Sequence, residues 1–136
     1  MAKILIVEDN AANMRLVVFL LQSAGHFVLS TTDAESGLAL ARSEQPRLIL
    51  MDLQLPGMDG LEATRLLKRD EATRAIPVIA LTALAMKGDE QRIRAAGCDG
   101  YVAKPMDYQQ FLATIEAQLA RASLAPAIEE ASPGTS

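Results

Sequence analysis

The hydrophobic positions of this chain change period along its length, and each change marks out an element. Ile4–Val7 is an unbroken apolar run rich in β-branched residues, which predicts a strand. From Ala11 to Ala24 the apolar residues Met14, Val17, Val18 and Leu21 fall at helical spacing, and Gly25 supplies the stop. His26–Ser30 predicts a second strand. Ala34–Arg42 predicts a helix with Leu38 and Ala41 turned inward, closed before Pro46. Leu48–Met51, bounded by Asp52 and the Pro56-Gly57 turn, predicts a third strand buried on both faces. Asp59 with Glu62 has the capping-box pattern, opening a helix to Arg69. Pro77–Leu81 reads as the fourth strand, Lys87–Ala96 as a helix poor in apolar residues that stops at Gly97, and Tyr101–Ala103 as a short fifth strand. Asp107 can cap a last helix carrying Tyr108, Phe111, Leu112, Ile115 and Leu119 on one face.

Strand and helix thus alternate, which predicts an α/β fold with a parallel sheet covered by helices on both sides. Right-handed crossovers leave few topologies. A flavodoxin-like three-layer sandwich, with five strands in the order 2-1-3-4-5 and five helices, is the expected one. From Ser123 the composition shifts to Ala, Pro, Ser, Glu and Gly, so residues 1–122 are expected to form the domain and 123–136 an unstructured tail.

The totals narrow the function classes. With 136 residues there is room for one domain with a real core, and half the residues are hydrophobic. No apolar run is long enough to span a membrane, and the acidic pair Glu8-Asp9 ends the N-terminal run too early for a signal peptide, so a cytoplasmic location is expected. A net charge of −4 with scattered Lys and Arg argues against binding DNA or RNA. The single cysteine, Cys98, excludes an internal disulfide and any multi-cysteine metal site, and is read as a small buried hydrophobe.

Chemistry concentrates where the strands end. In a parallel sheet all carboxyl ends lie along one edge, which is where such folds bind ligands. Glu8 and Asp9 follow the first strand, Asp52 the third, Thr82 the fourth, and Lys104-Pro105 the fifth. Alone, Asp52 reads as a turn or capping residue. Together, three carboxylates, a hydroxyl and an ammonium at one rim suit phosphoryl transfer to a carboxylate. Carboxylates this close repel one another and call for a cation, and Mg²⁺ (or Mn²⁺) fits because it pairs one or two carboxylates with phosphate oxygens. Asp52 is the expected nucleophile, with Lys104 offsetting phosphoryl charge and Thr82 donating a hydrogen bond.

These residues resemble the CheY-like response-regulator receiver family, from about Ala2 to Leu119. The resemblance is carried by Val7-Glu8-Asp9-Asn10, by Met51-Asp52-Leu53-Gln54-Leu55-Pro56-Gly57-Met58-Asp59-Gly60, by Ala80-Leu81-Thr82-Ala83, and by Tyr101-Val102-Ala103-Lys104-Pro105. The segment Ala83–Glu90 is similar to the single-domain DivK-like group. The resemblance implies that Asp52 is the phosphoacceptor. It makes Asp9, Asp52 and the backbone carbonyl of Gln54 direct metal ligands, with Glu8 acting mainly through water. It also implies a phosphoryl-binding and switch set of Thr82, Ala83, Lys104 and Tyr101, and a cis Lys104–Pro105 peptide. Gln54 and Leu84 occupy positions that influence aspartyl-phosphate lifetime in the family, and Gln54 departs from the Asn or Met often found there.

The implied function is a stand-alone phosphorelay switch, not an enzyme acting on external substrates. The only histidine, His26, is read as structural or solvated, so the phosphoryl group must come from a histidine kinase, a histidine phosphotransfer protein or a small phosphodonor. Thr82 and Tyr101 form the expected coupled switch, read by a downstream protein through the fourth helix, fifth strand and fifth helix. The first helix carries a second apolar set, Ala12, Leu16, Phe19 and Leu20, of which Leu16, Phe19 and Leu20 are expected to dock the kinase. A monomer or weak dimer is expected. Three rivals are weaker, the first being a receiver-shaped binding module that no longer takes phosphate, which intact Glu8, Asp9, Asp52, Thr82 and Lys104 argue against. An aspartate-nucleophile phosphatase would want a second Asp where Gln54 stands, and a nucleotide-binding domain would need a glycine-rich phosphate loop that is absent.

Overall fold

The structure, a computed structural model, describes residues 2–83, 87–104 and 107–131. Its elements alternate along the chain. They are β1 (Lys3–Val7), α1 (Ala11–Ser23), β2 (Phe27–Thr31), α2 (Ala34–Glu44), β3 (Leu48–Asp52), α3 (Gly60–Arg69), β4 (Val78–Thr82), α4 (Lys87–Ala95), β5 (Gly100–Ala103) and α5 (Tyr108–Ala131). All strand pairs are parallel, and the order is β2-β1-β3-β4-β5, as the alternation predicts.

Successive residues of a buried strand point to opposite faces, and the three central strands are apolar on both. Leu5, Val7, Ile49, Met51, Val78 and Ala80 face one layer, where Ala41, Leu61, Ala63, Leu67 and Ile93 from α2, α3 and α4 cover them. Ile4, Ile6, Leu48, Leu50, Ile79 and Leu81 face the other, against Val17, Leu20 and Leu21 of α1 and Phe111, Ile115 and Leu119 of α5. Helix starts follow local chemistry. The side chains of Asn10, Asp33 and Asp59 accept from the backbone N–H three residues on, and Asp107 accepts from Gln109 and Gln110.

Two side chains and one helix end are placed differently from their sequence pattern. Leu20, assigned above to an outward apolar set, is buried with Val17 and Leu21, since positions three and four apart share a helix face. Tyr108, expected on the inner face of the last helix, stands exposed in its first turn, before the helix comes to lie over the sheet. Helix α5 also continues to Ala131, through part of the stretch expected to be tail. Ala, Leu, Ile and Glu there are helix formers that can carry the helix past Pro126.

His26 and Cys98 are structural. His26 is buried, its Nδ1 accepts the Ala2 N–H at 3.2 Å, and its Nε2 lies 2.7 Å from Glu116 Oε2 on α5. Because Nδ1 accepts, the ring proton sits on Nε2 and is donated to Glu116. Cys98 is buried against Thr64, and burial raises its thiol pKa. Among the described residues no helix is long and apolar enough to cross a membrane.

Candidate functional site at the carboxyl edge of the sheet

Strand register brings the polar residues level. Val7 pairs with Met51, so Glu8 and Asp52 each stand one residue beyond a matched pair. Asp52 pairs with Leu81 and Thr82 with Ala103, which sets Thr82 and Lys104 along the same rim. The Lys104 N–H donates to the Thr82 carbonyl at 2.8 Å, continuing the ladder to the last residue before Pro105. Pro105 and Leu84 lie outside the described residues, and with them the expected cis peptide.

Within the rim, Lys104 bridges two buried carboxylates. Its Nζ is 2.9 Å from Glu8 Oε1 and 3.4 Å from Asp52 Oδ1. Glu8 is fully buried and Asp52 nearly so, whereas Asp9 is exposed at the mouth. The Gln54 N–H donates to Asp52 Oδ1 at 3.0 Å, so two donors converge on that oxygen. Burial pushes the Glu8 carboxyl above its ordinary range, and the adjacent Asp52 carboxylate pushes the same way; Lys104 and the Asn10 N–H pull it down.

The three acids Glu8, Asp9 and Asp52 each offer a carboxylate oxygen, all within 4.8 Å of one another. Hard, crowded oxygen donors with Lys104 as the neighbouring ammonium fit a small divalent cation. One contributor had no assigned role in the sequence. Asn10 caps α1 through its side chain and donates its own N–H to Glu8 Oε2 at 3.2 Å, so the helix start and the acidic cluster share one residue. The signal was available, because Asn directly before an apolar-periodic run is an N-cap pattern.

Thr82 is buried at the end of β4, and Tyr101, on β5 two strands from the strand of Asp52, is half-buried against the α2–α4 side of the core. Ala83 is exposed beside Thr82. On α1, Phe19 is 66 % exposed and Leu16 half-buried, so only part of the expected docking set faces outward.

Residues 4–116 match the response regulator receiver domain family. The chain belongs to that family. Receiver domains are the phosphorelay switches of two-component signalling and interact with histidine kinases and downstream targets. The chain is 50% identical over 116 residues to the polar-differentiation response regulator DivK of Brucella abortus, covering 85% of this chain and 94% of that protein. It is 49% identical to the DivK of Brucella anthropi over the same length. Among solved structures, it is similar to the receiver domain of a Pseudomonas aeruginosa sensor histidine kinase. The TM-score is 0.82 at 34% identity, covering 88% of this chain and 98% of that one, and that structure has a magnesium ion coordinated in its active site cleft. A chemotaxis response regulator of Vibrio cholerae superposes with a TM-score of 0.82 at 28% identity, covering 87% and 98% of the two chains.

Proposed function

We propose that this receiver takes a phosphoryl group on Asp52 and works as a single-domain switch of the DivK kind. The observation that carries this reading is the bridge from Lys104 to both Glu8 and Asp52 beside the three-carboxylate cluster. A carboxylate oxygen of Asp52 attacks phosphorus. The new bond is P–O to Asp52, and the bond broken is P–N of a phosphohistidine or P–O of acetyl phosphate, which leaves as acetate. Asp9, Asp52 and the Gln54 carbonyl would hold Mg²⁺ or Mn²⁺, with Glu8 acting through water. The cation supplies charge neutralisation for the incoming phosphoryl oxygens. Lys104 exchanges part of its ion pairing for a phosphoryl oxygen. Thr82 and Ala83 line the same rim and would receive another.

Output follows from the same geometry. Thr82 sits on the strand next to Tyr101, so a Thr82 loop drawn toward the phosphate opens space for the Tyr101 ring to turn inward. That shifts a two-state equilibrium on the α4–β5–α5 face, where α4 contributes few apolar contacts to oppose movement. Phe19 and Leu16 on α1 are the proposed contact with a histidine kinase or phosphotransfer protein, and the downstream target is a protein. The protein would assist both its own phosphorylation and the hydrolysis that restores Asp52, acting as a switch and not as a multiple-turnover enzyme on external substrates.

The test is labelling by acetyl phosphate with and without Mg²⁺, for the wild-type protein and Asp52→Asn. Labelling that needs Mg²⁺ and disappears in Asp52→Asn is the expected result. Equal labelling of the variant would overturn the assignment.

A further inference from the structure

We infer that Gly60 is a positioning residue for the phosphoacceptor, kept as glycine because α3 begins in contact with the backbone of Asp52. A Cβ at Gly60 would lie 2.3 Å from the Asp52 carbonyl oxygen, 2.8 Å from Leu53 Cα and 3.0 Å from the Asp52 carbonyl carbon. Backbone atoms at the end of a central strand, where the Leu53 N–H still donates to the Leu81 carbonyl, cannot swing aside like a side chain, so either α3 or the end of β3 must shift to admit one carbon. Conformation is not the reason for glycine here. Among the described residues the positive-φ glycines are Gly25, Gly57 and Gly97, and Gly60 is not among them. Gly97 makes the contrast plain, since a Cβ there meets the Lys68 side chain, which is flexible.

The consequence for the site lies in the loop between. The chain leaves Asp52, runs through residues 53–59, and returns to rest on the Asp52 carbonyl at Gly60. Three bonds hold the returning end. The Gly60 N–H reaches the Leu53 carbonyl at 3.5 Å, Asp59 Oδ1 accepts the Glu62 N–H at 2.8 Å, and the buried Thr64 hydroxyl donates to the Gly60 carbonyl at 2.8 Å. The loop so closed carries Gln54, whose N–H holds Asp52 Oδ1. The start of α3 is therefore a backstop that fixes Asp52 and Gln54 together against Lys104 and the acids of β1. A displacement of a few tenths of an ångström there alters the contacts of Asp52 Oδ1, which stand at 3.0 Å from the Gln54 N–H and 3.4 Å from Lys104 Nζ.

This inference rests on the reading of Asp52 as a phosphoacceptor beside a divalent cation. Its test compares Gly60→Ala with wild type and with Gly97→Ala, measuring melting temperature, Mg²⁺ affinity by calorimetry and the rate of labelling by acetyl phosphate. Both variants are expected to melt lower, but only Gly60→Ala should lose tenfold or more in Mg²⁺ affinity and labelling rate. A folded Gly60→Ala protein within twofold of wild type in both would overturn the inference. If Gly60→Ala does not fold, Thr64→Val decides. It keeps the side-chain shape, removes the hydroxyl on the Gly60 carbonyl, and should lower Mg²⁺ affinity and labelling rate two- to fivefold; no change overturns the inference. A wild-type protein that binds no Mg²⁺ and takes no label would instead remove the underlying reading of the site.

Discussion

Lys104 Nζ sits 2.9 Å from the fully buried Glu8 carboxylate, an ion pair between the residues that immediately follow β5 and β1. The same ammonium reaches Asp52, so it offsets two negative charges. Lys104→Met should therefore destabilise the metal-free protein by about 2–4 kcal/mol, because removing one partner of a buried pair leaves uncompensated charge. The fold must then bind a proton that the unfolded chain does not, so the deficit should be larger at pH 8 than at pH 5. Urea unfolding in EDTA at the two pH values measures both, and a pH-independent deficit would count against charge as its cause.

Glu8 itself costs the apo fold something. Burial and the Asp52 carboxylate raise its pKa above the usual 4.5. A group raised in the folded state contributes stability below its unfolded pKa and loses that contribution as pH rises through the folded value. Glu8→Gln, neutral throughout, should be more stable than wild type at pH 7, by about 1 kcal/mol if one unfavourable buried charge is relieved. The advantage should shrink toward pH 4. A variant less stable than wild type at pH 7 would show that the Lys104 pairing outweighs the burial.

The fold was readable because β1, β3 and β4 are unbroken apolar runs and the intervening helices have their own period and caps. The site was readable because parallel strands deliver Glu8, Asp52, Thr82 and Lys104 to one edge whatever the details of packing. Side-chain direction on the helices was harder. Leu20 and Phe19 are adjacent, equally apolar residues, and Leu20 is core because it shares a helix face with Val17, whereas Phe19 is surface. The capping role of Asn10 was legible as an N-cap pattern, but its N–H bond to Glu8 depends on how the chain turns into α1.

That difference between neighbours is testable. Phe19 is 66 % exposed, so Phe19→Asp should unfold like wild type, within about 0.5 kcal/mol. It should nevertheless accept phosphate from its cognate kinase at least tenfold more slowly, with acetyl phosphate labelling unchanged. Leu20→Ala should do the reverse, costing about 2–4 kcal/mol through the lost core contact while leaving transfer per folded molecule near normal. Wild-type kinase transfer in Phe19→Asp would remove α1 as the docking surface.

Asp70 gives a pH effect of the opposite sign from Glu8. The Ala72 N–H and the Arg42 guanidinium, its Nε 2.5 Å from Asp70 Oδ2, hold its carboxyl below the usual 3.8. A lowered carboxyl stabilises above its unfolded pKa and loses that stabilisation as pH falls through the folded one. Asp70→Asn should melt slightly below wild type at pH 7, and the two should converge as the pH falls and Asp70 protonates. The pair is exposed, so added salt should also narrow the gap. A gap that persists in acid would point to the amide's geometry in place of the charge.

The acidic cluster should make stability depend on the cation it fits. Glu8, Asp9 and Asp52 lie within 4.8 Å of one another with Lys104 as their neighbouring ammonium, so the apo fold carries repulsion that the unfolded chain does not. A cation that binds only the folded state adds RT ln(1 + [L]/Kd), about 2.7 kcal/mol at a concentration of 100 Kd. For a domain of this size that is a rise of roughly 10 °C in melting temperature. NaCl at equal ionic strength should give much less, since screening acts weakly on buried charges. Asp9→Asn removes one carboxylate from the exposed mouth of the cluster without touching the core, so it should fold normally and lose most of the Mg²⁺-dependent rise. If MgCl₂ raised the melting temperature of Asp9→Asn as much as that of wild type, the cation would be acting elsewhere on the surface and not between these three acids.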